Sequence, residues 1–454
     1  MGRIARITVV SLLALALFAV AGAGAFRTLR SDRAISAGDR ARAASVQTTD
    51  LLAPATGGAG GLEATITGLQ QHLADSPEDA DAFASLGLAY VQQARITSDP
   101  SFYPKAQQTL HRSLALQPRD NEEALVGLAA LAAARHDFAA ALRLGAQARR
   151  LDPYDANVYG VIGDAQLELG RYDEAFATFQ TMVDTKPTLS AYARVSYARE
   201  LLGDVSGAIR SMEVARDVAG SAADIAWTSF HLGELRFNRG DVAGAAREYR
   251  AGTQADSDFV PNLAGLGKVA WATGDLDTAI ERFVEVTERY PSPDYVATLG
   301  DLYAARGDRA DAQRQYDLVR AEAELFRANG VDTDLELALF DADHGDPRSA
   351  LRAARSEWDR RHGVYVADAL AWALHANGLD RQAAAYARRA ASLGMRNALF
   401  SFHAGMIQLE LGNLDEARSL LQRALAINPS FSVQHAPTAE SALESISDTN
   451  AGAA

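Results

Sequence analysis

The sequence predicts an all-α fold, a solenoid of stacked helical hairpins, and three observations carry that prediction. Glycines recur at 170, 203, 240, 274, 307, 345, 378 and 412, spaced 33, 37, 34, 33, 38, 33 and 34 residues apart. Five residues after every one of them stands an alanine: Ala175, Ala208, Ala245, Ala279, Ala312, Ala350, Ala383 and Ala417. Apolar residues make up 48% of the 454 and aromatics only 7%, a balance suited to closely packed helices rather than an aromatic-rich sandwich. A chain of this length exceeds one ordinary core, so it divides or repeats.

Each recurring element has a physical reason. The glycine reaches φ > 0 at the end of a first helix, where other residues would be strained. Asp204, Asp241, Asp275 and Asp308 follow it directly and are placed to accept orphan N–H groups at the start of a second helix. Seven residues before each glycine is another small residue, Gly163, Ser196, Gly233, Gly267, Gly300, Ala338, Ala371 or Gly405, where the paired helices touch. Pro187, Pro291 and Pro429 stand seventeen residues after their glycines and stop the second helix. One hairpin buries too little by itself, and stacking makes the core continuous.

This pattern resembles the tetratricopeptide repeat family, whose 34-residue unit carries Leu-Gly, an aromatic, a turn glycine, a fixed alanine, a second aromatic and a closing proline. The third unit matches best, with Ile162-Gly163, Gly170, Tyr172, Ala175, Phe179 and Pro187, although Gln166 replaces an aromatic. Arg199 and Asp341 take that aromatic slot elsewhere, and Ala129 and Ala338 replace the family glycine. Two earlier units, around Leu86-Gly87 and Leu128-Ala129, bring the total to about ten. The resemblance implies a right-handed superhelix over residues 78–430. A capping helix is expected over 62–77, from Ile66, Leu69 and Leu73 on one face, and a mobile tail over 431–454. A lengthened hairpin loop from Ile96 to Tyr103 reads as an ordered insertion of no consequence, with a second contact point at Phe102 and Tyr103 as the less favoured reading. About 25 residues follow Pro429, so no appended catalytic domain is expected.

The amino terminus is a different object. Residues 1–50 hold seven Arg and three Asp, a balance of +4, which leaves −18 of the net −14 for the rest. Arg3 and Arg6 precede an uncharged run from Ile7 to Phe26, long enough to span a membrane. Residues 1–30 therefore read as a signal peptide or membrane anchor, and 31–61, rich in Gly near their end, as a flexible linker. The small residues from Ala19 to Ala25 favour cleavage, whereas Arg27, Arg30 and Arg33 favour a retained anchor. An extracytoplasmic body, secreted or anchored by that segment, is the leading expectation, and a body facing the cytoplasm is the alternative.

The sequence narrows the function by what it lacks. There is no cysteine, which removes disulfides, zinc-thiolate sites and thiol nucleophiles. The acidic body argues against a broad nucleic-acid surface. No nucleophile elbow, zinc-protease helix or phosphate loop occurs, and the Asp341, Asp343, His344, Asp346 cluster lies on an inter-helix turn without calcium-loop spacing. No cofactor, metal or catalytic residue is therefore assigned. An enzyme using groove carboxylates such as Glu234 or Asp368 stays as a third reading.

The resemblance implies a protein or peptide ligand on the inner wall formed by the first helices. The positions lie six and three residues before each small site and one and four after it. They place Tyr197 and Glu200, then Trp227, Phe230, Glu234 and Phe237, then Lys268 and Trp271, and finally Tyr365, Asp368, Trp372 and His375 on that wall. Of these, Tyr197, Trp227, Phe230, Glu234, Lys268, Trp271 and Trp372 are the candidate partner-binding residues, since aromatics beside charges suit peptide recognition. The carboxylate clamp of chaperone adaptors, Lys and Asn four residues apart, has no counterpart at Gly160/Asp164, Ala193/Tyr197, Phe230/Glu234 or Ala264/Lys268.

Overall fold

Glycine sets the corners of this molecule. All eight period glycines take positive φ, between 70° and 94°, and each closes the first helix of a hairpin. Asp204, Asp241 and Asp275 then accept the backbone N–H three residues on, at 2.8, 2.9 and 3.1 Å. Asp308 differs: its carboxylate takes Arg306 at 2.6 Å and makes no side-chain cap.

The computed structural model describes residues 58–451, and among them are twenty-two α-helices and no strand. The helix α1 (Gly58–Asp75) precedes ten hairpins. Repeats 1 to 3 are α2 (Ala80–Thr97) with α3 (Phe102–Leu116), α4 (Glu122–Ala134) with α5 (Phe138–Leu151), and α6 (Ala156–Glu168) with α7 (Tyr172–Thr185). Repeats 4 to 6 are α8 (Leu189–Leu201) with α9 (Val205–Asp217), α10 (Ala222–Asn238) with α11 (Val242–Ala255), and α12 (Pro261–Ala272) with α13 (Leu276–Arg289). Repeats 7 and 8 are α14 (Pro293–Arg306) with α15 (Arg309–Ala328), and α16 (Asp334–Asp343) with α17 (Pro347–Arg360). Repeats 9 and 10 are α18 (Val364–Ala376) with α19 (Asp380–Ala390), and α20 (Ala398–Glu410) with α21 (Leu414–Ile427). The last helix is α22 (His435–Ala451). The two longest gaps in the glycine period are explained by the 17-residue α10 and the 20-residue α15.

The small residue of the first helix is a socket for the side chain sixteen residues later. A Cβ at Gly163 would stand 2.3 Å from Phe179, one at Gly233 2.2 Å from Tyr249, and one at Gly300 2.5 Å from Tyr316. The alanine after each turn is sealed in every repeat, never more than 3% exposed.

Beyond the neighbour contacts, the superhelix coils onto itself. Ser98 Oγ donates to Tyr290 Oη at 3.2 Å across 192 residues, and His136 Nδ1 to the Asp332 carbonyl at 2.6 Å across 196. Arg361 binds Glu168 across 193 residues, Tyr172 Oη donates to the His362 carbonyl at 3.2 Å across 190, and Asn428 Nδ2 to the Phe237 carbonyl at 2.9 Å across 191. Successive turns therefore meet along a seam with a period of about 190 residues, or roughly 5.6 units of 34.

Two sequence expectations are corrected. The loop Ile96–Tyr103 shrinks to Ser98–Ser101, because α2 continues to Thr97 and α3 starts at Phe102. Tyr103 is fully buried, so its ring is not presented as a contact point, and the half-buried Phe102 packs 5.9 Å from Tyr90. The supposed mobile tail forms α22, whose Ala436, Ala439, Ala442 and Ile446 are buried, the last three in a core with Phe402 and Leu421. The expected capping helix is present as α1, with Leu62, Ile66 and Leu73 in the first core. The membrane-meeting segment 7–26 lies outside the described residues; no helix among the described residues is long and apolar enough to cross a membrane.

Candidate functional site

The first helices of repeats 4 to 6 bring most of the predicted wall together. On α10, Glu234 accepts from Lys268 Nζ of α12 at 2.7 and 2.9 Å, and from Tyr249 Oη at 2.6 Å. The Lys268 ammonium also stands 4.9 Å from the Phe237 ring centroid, and that ring lies 6.0 Å from Trp271. Trp227 packs 4.1 Å from His231. Tyr197 and Tyr365 of α18 pack against one hydrophobic core, so repeats 4 and 9 touch through the interior.

These residues are not equally available. Tyr197, Trp227, Glu234, Lys268 and Trp271 are half-buried and keep a face toward solvent. Phe230 is 9% exposed and wedged among Tyr249, Phe259 and His231, so its area serves packing. Trp372 is 8% exposed, stacked 4.2 Å from His403, and its Nε1 donates to Asp343 at 2.6 Å. Phe230 and Trp372 therefore leave the set of accessible contacts: the spacing rule put both on the right face, but neighbours cover them.

Charge on this wall is predominantly negative and poorly solvated. Burial, reinforced by the charge of Glu234, pushes Glu200 up to about 7 against a hydrogen bond with Asn238. Burial also raises Asp294 to about 6, with Lys268 opposing, and holds Glu336 well above the ordinary carboxylate range. His231 is pulled down to about 4 by burial, with Glu234 resisting. Sequence reasoning missed Asp294 and Glu336. Asp294 sits six residues before Gly300, so extending the wall rule to repeat 7 finds it; Glu336 occupies no position of that rule.

Two other arrangements bear on chemistry. Asp332, Asp334 and Glu357 approach one another closely enough to hold a metal ion, but the Arg360 guanidinium binds all three, at 2.7 Å to Asp332 and 3.0 Å to Asp334. A positive group is therefore already in place there. Where the turns meet, Glu200, Leu235, Asn238, Arg239, Arg396 and Ile427 line a pocket of 210 Å³. That is below the ~300–1,000 Å³ typical of small-molecule sites.

At the carboxyl end the wall is occupied by the chain itself. Gln434 Nε2 donates to Asp301 of α14 at 2.7 Å, and His435 Nε2 lies 3.2 Å from Asp343 of α16. The His435 ring stacks 4.7 Å from Phe402 of α20 and meets Trp372 of α18 edge-on at 5.7 Å.

Comparison with known proteins agrees with this geometry. Tetratricopeptide repeat family models match residues 132–196, 265–324 and 369–430. No curated protein matches the chain. Among solved structures, the chain is similar to yeast Tom70, at 13% identity, 86% of this chain, 96% of that one and a TM-score of 0.37. It is also similar to Cut9–Hcn1 of the APC/C, at 12% identity, 83% and 95% coverage and a TM-score of 0.33. A tetratricopeptide repeat protein from Parabacteroides merdae gives 15% identity, 57% and 98% coverage and a TM-score of 0.32. With ten hairpins on the page, eight of them turned by glycine, and three stretches matched, the chain is an all-helical solenoid that carries tetratricopeptide repeats.

Proposed function

We propose that the protein is a non-catalytic scaffold that holds a segment of a partner polypeptide against the inner wall of repeats 4 to 6. The observation that supports this is the half-buried Trp227 and Trp271 on α10 and α12, the two first helices that the Glu234–Lys268 pair joins, so that aromatic surface and polar groups share the positions the repeat pattern gives to its inner wall. The surrounding carboxylates Glu200 and Asp294 favour a segment with basic side chains, because a cation would stabilise their charged forms. The uncharged run 7–26 supports an exported or membrane-tethered body.

Peptides selected from a displayed random library against the full chain test the reading. Binders should lose about tenfold in affinity, roughly 1.4 kcal/mol, against a Trp271→Ala/Lys268→Ala variant of unchanged helicity. Binders indifferent to that variant would place recognition elsewhere and overturn the assignment.

A further inference from the structure

We propose that the inner wall of repeats 7 to 10 is a second segment-binding site, which the protein's own residues Phe431–His435 fill as a displaceable internal ligand. The inference rests on the reading that this wall recognises polypeptide segments, and it assigns both a location and a regulator.

The stretch does more than a terminal cap requires. Covering the apolar end of repeat 10 needs the helix α22, whose Ala439, Ala442 and Ile446 pack with Leu421 and Ala424. The residues just before it, together with its first residue, His435, reach first helices of four repeats. Phe431 lies 5.7 Å from Phe402, and Val433 packs into the core of repeats 6 and 7. The Gln434 amide meets Asp301, a carboxylate that also accepts from Tyr316 at 2.9 Å and contacts His344 at 2.9 Å. The His435 imidazole meets Asp343, which is already fixed by Trp372. Asp301 is the residue after the small Gly300, Trp372 the residue after Ala371, and Phe402 three residues before Gly405, so three of these contacts use the ligand positions of the repeat.

The floor of this site is not saturated. Beside Trp372, His403 binds Asp368 through Nδ1 at 2.8 Å, and the two are 1% and 2% exposed. Yet His403 Nε2 and Asp368 Oδ1 have no hydrogen-bond partner. Buried polar atoms left this way are costly, and a segment that reached them would gain what the internal one lacks. The partner that fits has an apolar residue, then an amide, then a cationic or imidazole side chain facing Asp343, in an extended stretch.

A fluorescein-labelled peptide of residues 429–451 is titrated into the full wild-type chain and into a full-length Gln434→Ala/His435→Ala variant. The variant should bind the peptide at least tenfold more tightly, because the internal copy no longer competes at high effective concentration. Adding Asp343→Ala to the variant should abolish that gain. Equal affinities, or no saturable binding by a variant of native helicity, overturn the proposal and leave the segment a fixed cap. Hydrogen exchange of the unmodified chain gives a check independent of folding by the variant. Amides of α22 should exchange by local opening at least tenfold faster than those of α20; exchange only through global unfolding overturns displaceability. Neither readout depends on Trp271 or Lys268, so failure here is distinct from failure at repeats 4 to 6.

Discussion

Arg361 at the end of α17 binds Glu168 at the end of α6, 193 residues earlier, and both side chains are almost sealed from solvent, at 2% and 5% exposure. The same guanidinium binds Glu357 and lies 4.8 Å from the Phe138 ring. One side chain thus holds two superhelical turns together. Arg361→Ala leaves the buried Glu168 without its cation and Glu357 with Arg360 alone, a loss of ~3–5 kcal/mol. A lowered urea midpoint should be accompanied by loss of protection in both α6 and α17. Exchange changes confined to α17 would show that the turns are not coupled through this pair.

The sockets and the corners fail differently. At Gly233 a methyl group would stand 2.2 Å from the Tyr249 ring, which is hemmed in on its other side as well, since a Cβ at Gly265 would lie 2.4 Å from it, so Gly233→Ala should cost ~1–3 kcal/mol through overpacking. A Cβ at Gly378 would meet nothing within 4 Å, but the residue sits at φ +70, so Gly378→Ala should cost ~1–2 kcal/mol from backbone strain. Gly378→Asn separates the causes. Asparagine tolerates the left-handed region and should recover part of that loss in thermal melts, whereas no rescue is expected for Gly233→Asn.

Acidity on the inner wall sets a pH slope. Glu200 has its folded pKa raised to about 7 by burial and by Glu234, so the folded state binds its proton more tightly than the unfolded chain does. The contribution of this group is greatest below the unfolded value near 4.5 and is lost as pH rises toward 7, by up to ~1.4 kcal/mol per unit. Urea midpoints measured for wild type and Glu200→Gln between pH 4 and 8 should diverge in favour of the variant as pH rises. Parallel curves would mean that Glu200 is fully solvated.

Phe230 and Trp271 occupy comparable places in the sequence pattern and should respond in opposite ways. Phe230→Ala opens a cavity beside Tyr249 and Phe259 and should cost ~3 kcal/mol or more of stability. Trp271 is half-buried, so Trp271→Ala should destabilise less but weaken capture of selected peptides more. Denaturation and peptide titration of the two variants, side by side, check this. Capture lost equally in both would return Phe230 to the accessible wall.

Local geometry was readable from residue types, because a turn that needs φ > 0 or a contact that excludes a Cβ leaves its mark at a fixed position. Gly170 through Gly412 and the alanines five residues later show this in repeats 3 to 10. The seam between turns left no such mark. Whether His136 faces Asp332 depends on the small rotation per repeat summed over five units, and no single residue encodes that sum. The fate of Trp372 was hidden for a related reason: α22 is built from Ala439, Ala442 and Ile446 among Ser, Thr and Asp, too few large apolar residues to announce a packed helix. Glu234 and Lys268 stand at wall positions of the sequence pattern, but their mutual pairing, 34 residues apart, follows from the stacking of two adjacent first helices.

The self-contact of the coil also restricts how such a chain can change length. In an open solenoid a duplicated or deleted hairpin is absorbed locally, because each unit meets only its neighbours. Here an inserted unit between repeats 5 and 8 would slide Arg361 past Glu168, His362 past Tyr172 and Asn428 past Phe237 together, converting every one of those pairs into a mismatch. Repeat number is therefore a fixed property of the molecule, and variation that elsewhere arises by copying whole units must arise in this protein by substitution.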